Sequence, residues 1–411
     1  MPAAGSFQAS PMGAPPPAPS DCSPHERILL VRRPRGLPSP ADFRLERLLP
    51  LSPQDLVPPP GGLLVRNAYV SIDPAMRGWM SEARSYLPPV GLGEVMRAAT
   101  VGTVLASDVA GERFPPGCWV RCDGGGVQTH SALGAEEVRA GAVRRLDPAP
   151  TPALPARAHL GVLGLTGLTA YFGMLRVGRP RPGDTVLVSG AAGATGSAAC
   201  QIARIVGCRV VGTAGTEAKC RWLVEEGICD EAVCYRRPKG EGSLSRAIRD
   251  ACGRVGRRGG RGGGADVVFD NVGGEFLEAA MSNLARGARV VLCGAISQYN
   301  ADSSAVGAGV RGGPRNYMNL LVRRATMEGF VVFDYRNEYG KALAELGRWV
   351  QEGMLCHREH VVDGIENFPA ALTSLFDGTN QGKCVLRVAG DDGDDGDGRR
   401  SGMAKIPPSR L

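Results

Sequence analysis

The stretch from residue 184 to 207 constrains this chain more than any other. The apolar run DTVLVSG (184–190) leads into AAGATG (191–196), which opens the helical pattern GSAACQIARIVG (196–207). Ala199, Ile202, Ala203 and Val206 fall on one face of that helix. A short buried strand, a tight turn and a helix start form the first half of a βαβ unit. Ala191, Gly193 and Gly196 stand where a dinucleotide fingerprint has its three small residues. One lets the chain turn, one lets backbone amides approach a pyrophosphate, and one packs helix against strand. The helix N-terminus then presents its partial positive charge to the phosphates.

The pattern repeats downstream. CRVVGTAG (208–215), ADVVFDNVG (265–273) and ARVVLCGAIS (288–297) read as short buried strands. KCRWLVEEG (219–227) and FLEAAMSNL (276–284) read as the helices between them. Such alternation predicts a parallel sheet covered on both faces. Before it, ILLVRR (28–33), GLLVRNAYVSI (61–72), TVGTVLAS (100–107) and GCWVRC (117–122) are β-rich. After it, KALAELGRWVQEGML (341–355) is helical and GKCVLRVAG (382–390) returns to strand character. The expected fold class is α/β, a Rossmann-type parallel-sheet domain over 161–339 plus a β-rich domain over 25–160 and 340–390.

The chain has 58 Gly in 411 residues, and three segments that read as padding hold few of them. These are a Pro-rich start (1–24) expected to be disordered, a Gly/Arg insert (253–264) and a flexible tail (391–411). The folded part is therefore glycine-rich in its own right, as many close backbone approaches require. Net charge is +7, of which the four Arg of the insert supply more than half, so charge does not mark a nucleic-acid binder. No apolar run is long enough to span a membrane, and no secretory or transit pattern opens the chain. The twelve Cys form no CxxC pair and read as reduced thiols. Cys118/Cys122 and His357/His360 lack partners at metal-binding spacing, so no metal is expected.

The end of the second strand distinguishes NAD from NADP. NAD binders place Asp or Glu there, about 20 residues beyond the fingerprint. Here Thr213, Ala214 and Gly215 occupy it, and Lys219 follows, where an ammonium can meet a 2′-phosphate; Glu217 is discordant. NADP is expected. DNVGG (270–274) and CGAISQYN (293–300) end later strands, which makes Asn271 and Gly294 cofactor neighbours, since ligands gather outside strand carboxyl ends. Tyr299 carries a phenol that stays protonated and can donate to developing negative charge.

SIDPAMRGWM (71–80), AAGATGSAACQIA (191–203), VFDNVGGE (268–275), CGAISQYN (293–300), EGFVVFDY (328–335) and LFDGTNQGKCVLRVAG (375–390) together resemble the zinc-free medium-chain dehydrogenase/reductases. Among these they are similar to the prostaglandin reductases and NADP-dependent alkenal double-bond reductases. The resemblance implies a GroES-like β-rich catalytic domain, a homodimer, and NADPH-dependent reduction of the C=C bond of enals and enones. It also implies that Gly193, Ala194, Thr195 and Gly196 form the phosphate loop, and that Lys219 and Tyr235 contact the adenosine phosphate. Asn271, Cys293, Gly294, Ala295, Ile296, Ser297, Phe330, Val331, Val332 and Asn380 would complete the cofactor site, with Tyr299 at the substrate carbonyl.

Two positions depart from the family. Ala75 replaces its pocket tyrosine, which widens the expected pocket, and GGGVQTH (124–130) replaces its tryptophan-containing segment. A quinone reductase of the same fold is the alternative activity. RNA association through RRGGRGGG (257–264) is a rival of another class. The cytoplasm is the expected compartment, with the peroxisome as the alternative that Ser409-Arg410-Leu411 offers.

Overall fold

The structure is a computed structural model and describes residues 24–51, 56–236, 242–253, 263–301 and 313–388. The Pro-rich start to residue 23, the C-terminal tail with Ser409-Arg410-Leu411, and residues 254–262 of the Gly/Arg insert lie outside the described residues. None of the described helices is long and apolar enough to cross a membrane.

Seven strands form the first part: β1 (His25–Leu30), β2 (Phe43–Leu48), β3 (Leu63–Ser71), β4 (Thr100–Ser107), β5 (Trp119–Cys122), β6 (His130–Leu133) and β7 (Val143–Arg145). Six follow: β8 (Thr185–Val188), β9 (Arg209–Ala214), β10 (Glu231–Cys234), β11 (Ala265–Asp270), β12 (Leu284–Leu292) and β13 (Thr326–Gly329). The last strands among the described residues are β14 (Glu359–Asp363) and β15 (Lys383–Arg387). β15 lies antiparallel to β3, so one sheet runs β14-β15-β3-β4-β5-β7, with β6 on β3 and β1-β2 as a separate hairpin. The return of the chain to its first domain follows from this pairing.

The second sheet runs β10-β9-β8-β11-β12-β13, every neighbour parallel. The chain starts at the middle, builds outward, then crosses back, so the strand order reverses between β8 and β11. This is the doubly wound α/β arrangement, and its ligand crevice opens at the reversal. All residues of β8 and β11 are buried. Their alternating side chains feed two cores: Val186, Val188 and Phe269 on one face, Leu187 and Val268 on the other.

One boundary moves. The helix Tyr339–Gln351 buries Ala342, Leu346 and Trp349 in the same core as Leu168, Phe172 and Val186. It therefore packs with the parallel sheet, whereas 340–390 was expected to belong to the β-rich part. The helix Phe368–Asp377 does pack there, through Phe368, Ala371 and Leu372. Helical periodicity shows that a face is apolar but not which sheet receives it.

Two glycines make the β8 turn. Gly190 has φ +58°, a left-handed conformation that costs glycine little. The tight turn thus sits at Gly190 rather than at Ala191, whose side chain packs beneath Gly212. A Cβ on Gly196 would stand 2.2 Å from the Gly190 carbonyl oxygen, so the helix can lie this close only without one. Gly196→Ala should destabilise the protein by about 1–3 kcal/mol through this overlap. Equilibrium urea unfolding checks it, and an unchanged midpoint would show that the loop adjusts freely.

Candidate active site

A cleft runs between the two sheets along the carboxyl ends of β8, β9, β11 and β12. Of the site residues that the resemblance implies, all but Ala295 and Ser297 line it. Ser297 is exposed and turns its hydroxyl to the Val272 carbonyl oxygen at 2.6 Å. Ala295 faces the other side of its loop, toward Gly273, and contributes its amide instead. The segment 124–130 is also absent from the lining. It packs on β4, where Gly125 leaves no room for a Cβ against Thr100.

The helix Ala194–Ile205 begins at the cleft with Gly193 as its cap residue and no side-chain cap. The amides of Ala194, Thr195 and Gly196 meet no described acceptor. Uncapped helix amides above a glycine turn form a ready anion cradle, so a dinucleotide pyrophosphate fits these residues. A parallel bridge from Gly193 to Gly382, with the Gly382 amide on the Ala192 carbonyl at 2.8 Å, ties this loop to the β-rich domain.

β9 ends without a carboxylate. Thr216 caps the helix Glu217–Glu225 by accepting from the Lys219 amide at 3.2 Å. Glu217 is exposed in the first turn, where a negative charge favours the helix dipole. Its place in the sequence thus serves the helix end. The Lys219 ammonium donates to the carbonyl oxygens of Gly378, at 2.8 Å, and Asn380. Burial and then the neighbouring Arg236 lower its pKa.

The crossover between β8 and β11 depends on residues the sequence reading missed. Asp270 is fully buried and accepts from Ser189 Oγ at 2.8 Å and from the Val272 and Gly273 amides at 2.8 and 3.0 Å. Burial raises its pKa against the pull of these bonds. Asn271 reaches back with Nδ2 to the Ser189 carbonyl oxygen at 2.7 Å, locking the two strand ends together. Cys293 and Gly294 continue the chain by donating their amides to the Asp270 carbonyl oxygen at 2.9 and 3.0 Å. Burial, and then Asp270, push the Cys293 thiol to about 12, so it stays uncharged in the cleft.

Tyr299 closes this loop. Its hydroxyl oxygen accepts the Ala295 amide at 3.2 Å, which leaves the O–H free to donate. Burial raises its pKa above the ordinary 10.0. A Cβ on Gly294 would meet this hydroxyl at 2.9 Å, so the glycine makes room for it. Across the cleft, Ala75 gives the lining only a methyl group, and the aromatic side is supplied by Trp79, Tyr86 and Phe333. The Tyr86 and Phe333 ring centres are 6.1 Å apart. Nothing in the sequence around Tyr86 marked it. On the floor, Lys383 pairs with Asp73 at 2.7 Å and bonds the Ile72 carbonyl oxygen at 2.8 Å.

Among the described residues no three His, Cys, Asp or Glu side chains gather as a metal site. Cys122 is buried and protonated, with its pKa raised to about 12, and His357 Nδ1 lies 2.7 Å from Glu359.

Comparison with known proteins gives a consistent result. Residues 26–140 match a family model described as the N-terminal domain of oxidoreductase, and residues 194–348 one described as zinc-binding dehydrogenase. The NADPH-dependent curcumin reductase of Escherichia coli is 35% identical over 90% of this chain and 98% of its own. Prostaglandin reductase 1 of Bos taurus is 36% identical over 86% of this chain and 96% of its own. The crystal structure of CurA from Vibrio vulnificus in complex with NADPH superposes with a TM-score of 0.75 at 36% identity, covering 89% of this chain and all of that one.

Proposed function

The chain belongs to the zinc-free medium-chain dehydrogenase/reductases of the prostaglandin and alkenal reductase type, and from that footing we propose that it is an NADP-dependent oxidoreductase of the CH–CH class that reduces α,β-unsaturated aldehydes and ketones. The observation that carries this reading is a protonated phenol, Tyr299, with its donor proton free, on the wall of a cleft whose other end is an anion cradle. NADPH, when bound, supplies the hydride that the β-carbon of an enone requires.

The chain's own residues account for the rest. The amides of Ala194, Thr195 and Gly196 hold the pyrophosphate, and Lys219 with Tyr235 takes the 2′-phosphate. Phe330, Val331 and Val332 line the apolar end of the cleft. Negative charge collects on the carbonyl oxygen of the substrate as its C=C bond is reduced, and Tyr299 O–H donates to that oxygen. The Ala295 amide holds the phenol oxygen in place. Water then protonates the α-carbon. Trp79, Tyr86 and Phe333 cover the substrate where Ala75 leaves space, which suits a bulky or extended enone.

The partner in this reading is a second copy of the chain. Among the described residues β13 is one of the two edges of the parallel sheet. The adjoining helix Met318–Arg323 leaves Met318, Leu321 and Val322 more than half exposed, as is the preceding Tyr317. An unpaired edge beside an apolar helix is self-complementary about a two-fold axis.

Tyr299→Phe should lower kcat by about 10²–10³, the usual cost of one oxyanion donor, with NADPH affinity unchanged. Stopped-flow turnover and a fluorescence titration check this; turnover within twofold of wild type removes Tyr299 as the donor. A panel of enals, enones and quinones separates the quinone-reductase alternative. Light scattering should give about twice the 43.1 kDa chain mass, and Leu321→Asp should halve it. A wild-type monomer would contradict the dimer.

A further inference from the structure

Tyr235 and Arg236 follow β10 directly and project beside the end of β9. A Cβ on Gly215 would lie 2.9 Å from Tyr235 Oη and 3.8 Å from Arg236 Nε, so this glycine is the floor of a small recess walled by both. Lys219 reaches the same 377–380 segment as Arg236, close enough that Arg236 disfavours its charge. Two cations share the recess, and neither forms an ion pair with a carboxylate among the described residues. Lys219 donates to the carbonyl oxygens of Gly378 and Asn380, and Arg236 Nη2 donates to that of Asp377 at 2.7 Å. The carboxylate that favours the Lys219 charge, Asp377, is engaged by the Thr379 amide and hydroxyl at 2.8 and 2.7 Å.

Neutral carbonyls are weak partners for two adjacent cations. A phosphate monoester carries about two negative charges and three acceptor oxygens, and Arg matches it in a fork that Lys cannot make. The recess also sits at the strand end where the ribose 2′ position of a dinucleotide falls. We infer that Arg236 is a second cation of the 2′-phosphate site, and that phosphate binding exchanges the Asp377, Gly378 and Asn380 carbonyls for phosphate oxygens on both Arg236 and Lys219. This rests on the NADP reading above and adds a specificity-determining residue to it. It also makes the segment 377–380 the competitor that the 2′-phosphate must displace.

The test uses the whole chain and two fragments that undergo no reaction, 2′,5′-ADP and 5′-AMP, titrated by calorimetry. Wild type should bind 2′,5′-ADP more tightly. Arg236→Ala should weaken 2′,5′-ADP by about tenfold while 5′-AMP stays within about twofold, because only the charge-assisted bonds to phosphate are lost. Arg236→Lys should recover part of the loss. Arg236 is exposed, so the variant is expected to fold, and its circular dichroism should match wild type. If wild type prefers 2′,5′-ADP and Arg236→Ala keeps that preference in full, the assignment of Arg236 is overturned while the NADP reading stands. If wild type binds the two nucleotides equally, the NADP reading fails and takes this inference with it.

Discussion

The buried carboxylate of Asp270 fixes the geometry of the cleft. It gathers Ser189 Oγ from the end of β8 and the Val272 and Gly273 amides from the turn after β11. A parallel sheet whose strand order reverses leaves two strand ends side by side with connections departing in opposite directions. The backbone ladder joins these strands as far as Phe269 and Ser189, and the turns beyond it need a bridge of their own. Asp270 and Asn271 supply the bridge, and the Asp270 carbonyl oxygen then receives the Cys293 and Gly294 amides that aim the loop toward Tyr299. The cost of burying the carboxylate is offset in part by its hydrogen bonds. The phosphate cradle and the phenol are thus two ends of one hydrogen-bonded frame.

A second constraint joins the frame to the β-rich domain. The Gly382 amide bonds the Ala192 carbonyl oxygen, and the next residue, Lys383, is buried against Asp73. The phosphate loop, the floor of the cleft and β15 are therefore connected through two consecutive residues. The helix Tyr339–Gln351 adds a further tie, since it packs on the parallel sheet just before the chain crosses back.

Much of this was legible in the sequence for a physical reason. The strand–turn–helix at 184–207 and the missing carboxylate after β9 are local patterns, and local patterns determine local backbone. Gly196 and Gly294 were readable because close approach demands glycine. The less legible features all depend on partners far away in the chain. Asp270 looked like one more residue of DNVGG until Ser189 was beside it. Tyr86 entered the cleft through a loop with no periodicity. The helix at 339–351 showed an apolar face without showing its receiver. Ala295 and Ser297 were assigned to the cleft as part of a contiguous stretch, but the 3₁₀ turn Ile296–Gln298 sends neighbouring side chains in different directions.

In the proposed reaction the cleft directs hydride to the β-carbon of a conjugated carbonyl while the phenol holds the oxygen. The most direct measurement is the position of isotope in the product. With NADPH deuterated at the transferred position, an enone substrate should yield the saturated ketone with deuterium at the β-carbon. The hydrogen at the α-carbon should come from solvent. Deuterium at the carbonyl carbon, with an allylic alcohol as product, would contradict the account.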